Sequence, residues 1–291
     1  MRIRIILSLI VASLFLGKLT GQEEQAYDLK YFQGITLDFG SGIYASKMRD
    51  ELFSPLMYKG ITPIFPQGEI SLRHRKIQIF SAWELGYGML MNNQKSEWIQ
   101  SPGLLMPIYV NTGFLFKVKH WKEKNRHLWF GLNANFNSNF IFQSKLGNSS
   151  FNYNTILGSS ILGRFEIPFG WQAKDFHIFN KFTIHRNERK LLFAWQLEYP
   201  FLGILMRPSF DGIFYPIFDN PKNGSILDSE NINFYLFKPI YLRSHLEVSY
   251  LLKNRNRLKL SYNWNYFHYT KYEQKATTIS YGFLFSYVFA F

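Results

Sequence analysis

The sequence predicts an all-β fold: a transmembrane antiparallel up-and-down β-barrel of 12 strands behind an N-terminal signal peptide. Three observations lead there. Bulky apolar side chains recur at every second position over long stretches. The positions between them are polar but seldom charged. Beyond residue 21 no stretch reads as a membrane-spanning helix, although the chain opens like an exported protein.

The closing stretch, TTISYGFLFSYVFAF over 277–291, carries the alternation most clearly. Ile279, Tyr281, Phe283, Phe285, Tyr287, Phe289 and Phe291 take the odd positions. Thr278, Ser280, Gly282, Ser286 and Ala290 take most of the even ones. Successive strand side chains point to opposite faces, so one face is an aromatic wall. Such a wall needs covering in water and none against acyl chains. A terminal Phe preceded by alternating aromatics resembles the closing strand of Gram-negative outer-membrane β-barrels, which the barrel-assembly machinery recognises. The resemblance rests on 277–291 alone. It implies the outer membrane as destination, with outer-membrane lipid and lipopolysaccharide as surroundings, and it is silent on role.

The same period recurs upstream. Leu128, Phe130, Leu132, Ala134 and Phe136 alternate with Asn133, Asn135, Asn137 and Asn139. Leu258, Leu260, Tyr262, Trp264 and Tyr266 alternate with Lys259, Ser261, Asn263 and Asn265. Residues 191–199 repeat the pattern with Phe193, Trp195 and Tyr199 on the apolar face. A soluble barrel inverts this logic, polar outside and apolar within.

Composition narrows the alternatives. Of 291 residues, 47% are hydrophobic, 19% aromatic and only 18% charged, which excludes a disordered chain. The absence of cysteine excludes a disulfide scaffold and any thiolate site. The formal charge of +13 suits nucleic acid in principle, but no recognition fold is visible, so no nucleic-acid partner is expected. At the N-terminus, Arg2 and Arg4 precede an apolar run from Ile5 to Gly17, too short to span a bilayer. Cleavage near Gly21 is expected to remove 1–21. Residues 22–30 then form a periplasmic segment, and 31–291 the barrel.

Strands are expected near 31–42, 62–74, 76–90, 103–118, 127–140, 153–167, 173–185, 190–199, 201–213, 234–252, 258–270 and 277–291; ten or 14 stay open, because 43–61 has room for extra structure and Pro200 is a thin turn. An even number returns both termini to the periplasm. The segments around His74, at 119–126 and 168–172, at Pro200 and at 253–257 become periplasmic turns. Those at 43–61, 91–102, 141–152, 186–189, 214–233 and 271–276 become outside loops. Positive charge gathers in the periplasmic set, at Arg73, Arg75 and Lys76, at Lys122, Lys124 and Arg126, and at Lys253, Arg255 and Arg257. These turns are expected either to be solvated only, their Lys and Arg snorkelling to headgroups, or to dock anionic inner-leaflet lipid or an acidic periplasmic or outer-membrane partner.

Parity turns a balanced set of charges inward: Asp38, Glu69, Glu84, Glu166, Glu198, Asp211 and Glu247 against Arg73, Lys117, Arg164, Lys181, Arg207, Arg243 and Lys259, with His177, His185 and His245. Unpaired charge in a narrow interior is costly, so such groups pair across the lumen. A constriction is expected at Arg207, Asp211, Arg243, His245, Glu247, Glu198 and Lys181. Lipid-hydrolysing outer-membrane barrels offer a partial likeness, through a His-x-Ser motif on the lipid-facing wall. Here His268 and Thr270 stand at that spacing with Ser244 on the preceding strand, but Thr replaces Ser and no orienting carboxylate is evident. No cofactor or metal is expected. Three functions follow in order: a non-enzymatic barrel passing a small solute through a charge-lined lumen, a non-conducting anchor docking a partner by its basic turns, and a lipid hydrolase.

Overall fold

The fold is taken from a computed structural model. It describes residues 32–51, 54–92, 102–121, 126–142, 151–171, 174–178, 182–186, 189–207, 232–237, 240–271 and 274–291. The expected signal peptide and the segment 22–30 lie outside these residues, as do Lys122, Lys124, Lys181 and Asp211. Fourteen strand segments follow one another: β1 (Gly34–Asp50), β2 (Ser54–Arg73), β3 (Ile77–Gly86), β4 (Gly88–Asn92), β5 (Gly103–Trp121), β6 (Arg126–Phe142), β7 (Phe151–Trp171), β8 (Lys174–Ile178), β9 (Phe182–Arg186), β10 (Arg189–Met206), β11 (Ile232–Leu236), β12 (Ile240–Leu251), β13 (Arg257–Lys271) and β14 (Gln274–Ala290).

Ten staves close the barrel. Around the ring they run β1, β2, β3 with β4, β5, β6, β7, β10, β11 with β12, β13 and β14. The ring is sealed by the antiparallel β1–β14 ladder, from Thr36 opposite Ala290 to Asp50 opposite Ala276. Every stave thus finds hydrogen-bond partners on both sides, the condition for β-structure in lipid. β8 and β9 pair only with each other and stand outside the ring as a small hairpin. Twelve strands result, ten in the wall and two beyond it, rather than twelve staves.

Two expected boundaries change. The segment 173–185, expected as one wall strand, is the β8–β9 hairpin. The stretches 190–199 and 201–206 are a single strand, β10, which passes Pro200 by a bulge where Pro200 and Leu202 oppose Ser160 and Ser159. Proline lacks an N–H to donate, and a bulge is a place in a ladder that tolerates this. Pro200 is therefore a kink and not a turn, and 186–189 lies at the end of the barrel that holds both termini. β2 makes the same accommodation at Phe65-Pro66, where its pairing jumps from Ile64 to Gln67. The expected outside loop 43–61 is mostly strand, because β1 runs on to Asp50 and β2 starts at Ser54.

The end with both termini carries the tight connections 74–76, 122–125 and 252–256 and the β8–β9 hairpin; it is called the near end below. The far end carries 51–53 and 272–273 and the longer segments 93–102, 143–150 and 207–231. β1, with 17 residues, and β2, with 20, exceed the 9–11 that cross a bilayer. The staves therefore extend beyond the apolar layer.

Burial alternates as the period demands. Along β1, Thr36, Asp38, Tyr44, Ser46, Met48 and Asp50 are buried within, while Ile35, Phe39 and Ile43 are exposed outside. Ile61, Ile70, Leu72, Phe114, Phe130, Leu260, Phe283 and Phe285 continue this exposed apolar surface around the ring. Such a continuous patch is far larger than a water-soluble monomer exposes. The chain is a transmembrane β-barrel.

Candidate functional site

Among the described residues the lumen is where charge is concentrated and buried, and it is filled rather than open. Its near end is stoppered by apolar side chains: Phe80, Leu115, Trp129, Leu162 and Leu192 converge beneath Phe32, which precedes β1. Towards the far end, Met48, Tyr58, Leu90, Leu105 and Ile141 pack along one side. Ile156, Leu205, Tyr235, Tyr241, Phe267 and Ala276 pack along the other. Tyr235 lies flat enough that its hydroxyl sits 2.7 Å from where a Cβ on either Gly158 or Gly203 would be, so these paired glycines make room for it.

Ion pairs cross the barrel at three levels. Nearest the termini, Glu166 on β7 takes both guanidinium arms of Arg73, which reaches over from β2 on the opposite wall. Arg164 Nε donates to the same carboxylate at 2.8 Å, and so does Trp129 Nε1. Arg164 also contacts Glu247 at 3.3 Å, and Ser249 donates to Glu247 at 2.7 Å. Lys259 pairs with Asp38 on the other side of the same layer.

At mid-height Arg243 on β12 pairs with Glu84 on β3, five staves away and so diametrically opposed. Tyr44 donates to Glu84 at 2.7 Å, and Asn263 donates to Tyr44 at 2.5 Å. The Arg243 guanidinium lies 3.7 Å from the ring centre of Tyr109, a cation–π contact. Tyr109 donates in turn to Glu198 at 2.7 Å, and Asn133 and Asn135 supply further donors at 3.1 and 3.3 Å. His245 shares a hydrogen bond with Asn263 and lies 3.7 Å from Glu247.

At the far end Arg207 donates to Asp50 at 2.7 Å, and Asn152 reaches the same carboxylate at 3.4 Å. β1 and β7 face each other across the ring, so this trio spans the mouth. Among the described residues the lumen includes small chambers of about 60, 50 and 30 Å³. The first lies above the Arg243–Glu84 crossing, the second below it, and the third beside Arg73 and Arg257. Each has room for one or a few waters.

The described residues expected inside do face inward: Asp38, Glu69, Glu84, Glu166, Glu198 and Glu247, with Arg73, Lys117, Arg164, Arg207, Arg243, Lys259 and His245. His177 and His185 belong instead to the β8–β9 hairpin. Arg207 is not beside Arg243, His245 and Glu247 as expected. β10 runs through Pro200, so Glu198, Gln196 and Ala194 oppose those three residues, and Arg207 sits at the rim. Asp50 and Arg257 also face the lumen, while Asp211 and Lys181 lie outside the described residues. Asp50 was missed because 43–50 carries charge on both faces above the apolar layer, which blurs the period.

Of the residues expected to dock a partner, Arg73 and Arg257 are corrected: both are buried inside the near end, Arg73 on Glu166 and Arg257 over the Phe32 ring at 5.5 Å. Arg73 already has the inward parity of its strand, and β13 begins at Arg257, one residue before the expected strand, so Arg257 shares the inward parity of Lys259. Arg75, Lys76, Lys253 and Arg255 are exposed in near-end turns, and Arg126 is half-buried there. His74, Lys119, His120 and Arg189 add to this rim.

The hydrolase candidates do not assemble. His268 and Ser244 both face outward, but Ser244 lies opposite Trp264, four residues along β13 from His268, or roughly 13 Å. Ser244 accepts a hydrogen bond from Trp195 Nε1 at 3.0 Å. His268 contacts Thr277 at 3.0 Å and Thr270 at 3.4 Å, with no carboxylate among the described residues orienting it. Among the described residues no three His, Asp or Glu side chains converge as a metal site.

No family model matches the sequence, and no curated protein matches it. Among solved structures, the chain is similar to the transport unit of the autotransporter AIDA-I from Escherichia coli, at 9% identity over 90% of this chain and 93% of that one, with a TM-score of 0.43. It is similar to the outer membrane protease OmpT from Escherichia coli at 10% identity over 94% and 99%, TM-score 0.42. It is similar to the Ralstonia pickettii toluene transporter TbuX at 8% identity over 89% and 90%, TM-score 0.35. At these scores the likenesses say nothing of what this lumen does.

Proposed function

We propose that this chain is a sealed, non-conducting barrel of the Gram-negative outer membrane, serving as an anchor that presents its basic near end to an acidic protein in the periplasm. The observation that carries the reading is the set of three transverse ion pairs, Arg73–Glu166, Arg243–Glu84 and Arg207–Asp50, each joining far-apart walls. A solute on its way through would have to break all three and part the Phe32 cluster. Breaking one buried pair alone costs several kcal/mol. The pore expected first from the sequence is therefore the weaker reading. Short turns at the near end and longer segments at the far end support a periplasmic near end.

In planar bilayers the folded protein should give no unitary current above background at neutral pH and 1 M KCl. Regular open steps in the unmodified protein would sink the sealed-barrel reading. The anchor reading has its own check. Arg75→Glu, Lys76→Glu, Lys253→Glu and Arg255→Glu together reverse exposed charges that touch nothing in the lumen. The quadruple variant should insert normally yet lose its cross-link to a periplasmic protein in intact cells. An unaltered cross-link pattern, or no wild-type cross-link at all, would count against docking by this rim.

A further inference from the structure

We propose that the lipid-facing wall at the far end, across β13, β14, β1 and β2, binds the phosphates of an outer-leaflet glycolipid of the lipid A class. The inference rests on the outer-membrane placement above.

Lys47 on β1 lies directly opposite Lys59 on β2, and both are exposed on the outer face. Like charges directly opposite each other on one sheet face repel. Among the described residues no carboxylate pairs with either lysine, nor with the exposed Lys275 on β14. Arg49 stands about 7 Å further along β1, on the same face. Its one carboxylate contact is Glu51, at 3.1 Å. Glu51 also accepts the Lys275 backbone N–H at 2.9 Å, which draws the β1 and β14 ends together. Among the described residues, four cations thus face one carboxylate on a surface that borders acyl chains. Repulsion of this kind is relieved by an anion seated between the lysines, and a phosphate meets that need.

The height and the neighbours select the anion's carrier. Below the cations the same face is apolar: Ile43, Ile61, Tyr281 and Phe283 are all exposed. A soluble phosphate gains nothing from that apolar surface, whereas an acylated one covers it. Beside the cations, Trp264, Tyr266 and His268 form a ladder of near-parallel rings on β13, with centres 6.1 and 6.4 Å apart. The ladder climbs from the apolar layer to the cation row, since His268 opposes Thr277 and Thr277 opposes Arg49. Flat aromatic faces suit the apolar face of a sugar ring, which a phosphorylated glycolipid has and a glycerophospholipid lacks. His268 then serves at the headgroup, where its hydrogen bond to Thr277 holds the ring in place.

The test uses the full mature chain folded in detergent, with native mass spectrometry and titration of bisphosphorylated lipid A, phosphatidylglycerol and inorganic phosphate. Lipid A should bind at least tenfold more tightly than phosphatidylglycerol, and millimolar inorganic phosphate should not displace it. Lys47→Gln with Lys59→Gln should weaken lipid A at least tenfold, and Lys59→Gln alone about threefold. Lys76→Gln at the other end should change nothing. In lipid-free detergent the double variant should be no less stable than the parent, because a repulsion has been removed. Equal binding by parent and double variant would overturn the proposal. So would equal binding of phosphatidylglycerol, or displacement by free phosphate. Barrel formation is read separately, by heat-modifiable electrophoretic mobility, so a folded barrel that ignores lipid A refutes this site and leaves the anchor reading standing.

Discussion

Glu166→Ala should destabilise the barrel by about 3–5 kcal/mol, the range for removing one partner of a buried ion pair. Glu166 is fully buried and accepts from Arg73, Arg164 and Trp129 together. Its loss leaves Arg164 with Glu247. Arg73 keeps only its place 4.7 Å from the Trp129 ring. A guanidinium stranded in that way costs more than the hydrogen bonds themselves, because its desolvation is no longer offset. Removing both charges is a different perturbation. Arg73→Met with Glu166→Leu should recover most of the loss, since buried ion pairs and apolar replacements of similar volume are often close in stability. Urea unfolding in detergent micelles, followed by tryptophan fluorescence, measures both. A loss below about 1 kcal/mol for Glu166→Ala would mean that water reaches this layer freely, and the sealed lumen would go with it.

Ile43→Arg should cost about 2–4 kcal/mol in a lipid bilayer, the figure for a cation on the lipid face near the midplane. Ile43 is 50% exposed, sits midway along β1, and pairs with Phe283 and Pro63. A half-exposed isoleucine on a water-soluble protein would accept arginine within about 0.5 kcal/mol. The two environments thus predict different magnitudes for one substitution. Ile43→Val serves as the control and should stay within about 1 kcal/mol. A neutral Ile43→Arg in vesicles would contradict the membrane placement of this wall.

The lumen was largely legible because a strand's side-chain period is two and admits no drift. Once Phe283 and Phe285 were set outward, Ser286 on the same strand had to point in. The same count turned Arg243, His245, Glu247 and Lys259 inward without any knowledge of their partners. It failed where that period carries no contrast. Above the apolar layer both faces of β1 meet polar surroundings, so Asp50 was hidden in an expected loop. Pro200 was read as a turn because a missing donor usually ends a central strand, and a single-residue bulge leaves no mark in composition. Joining the two stretches removes one stave, the β8–β9 hairpin removes the other, and Arg207 moves away from its expected neighbours.

Which face of each strand meets lipid is a local property, written in every second residue, and the chain carries it without any reference to its neighbours. How many staves close the ring, and which charge meets which, are not local. They depend on strands brought together from distant parts of the chain, such as Arg73 with Glu166 or Arg207 with Asp50. Ring size sets the lumen's width, and width decides whether opposite walls touch. At ten staves they do, and long side chains from opposite walls fill the space between them.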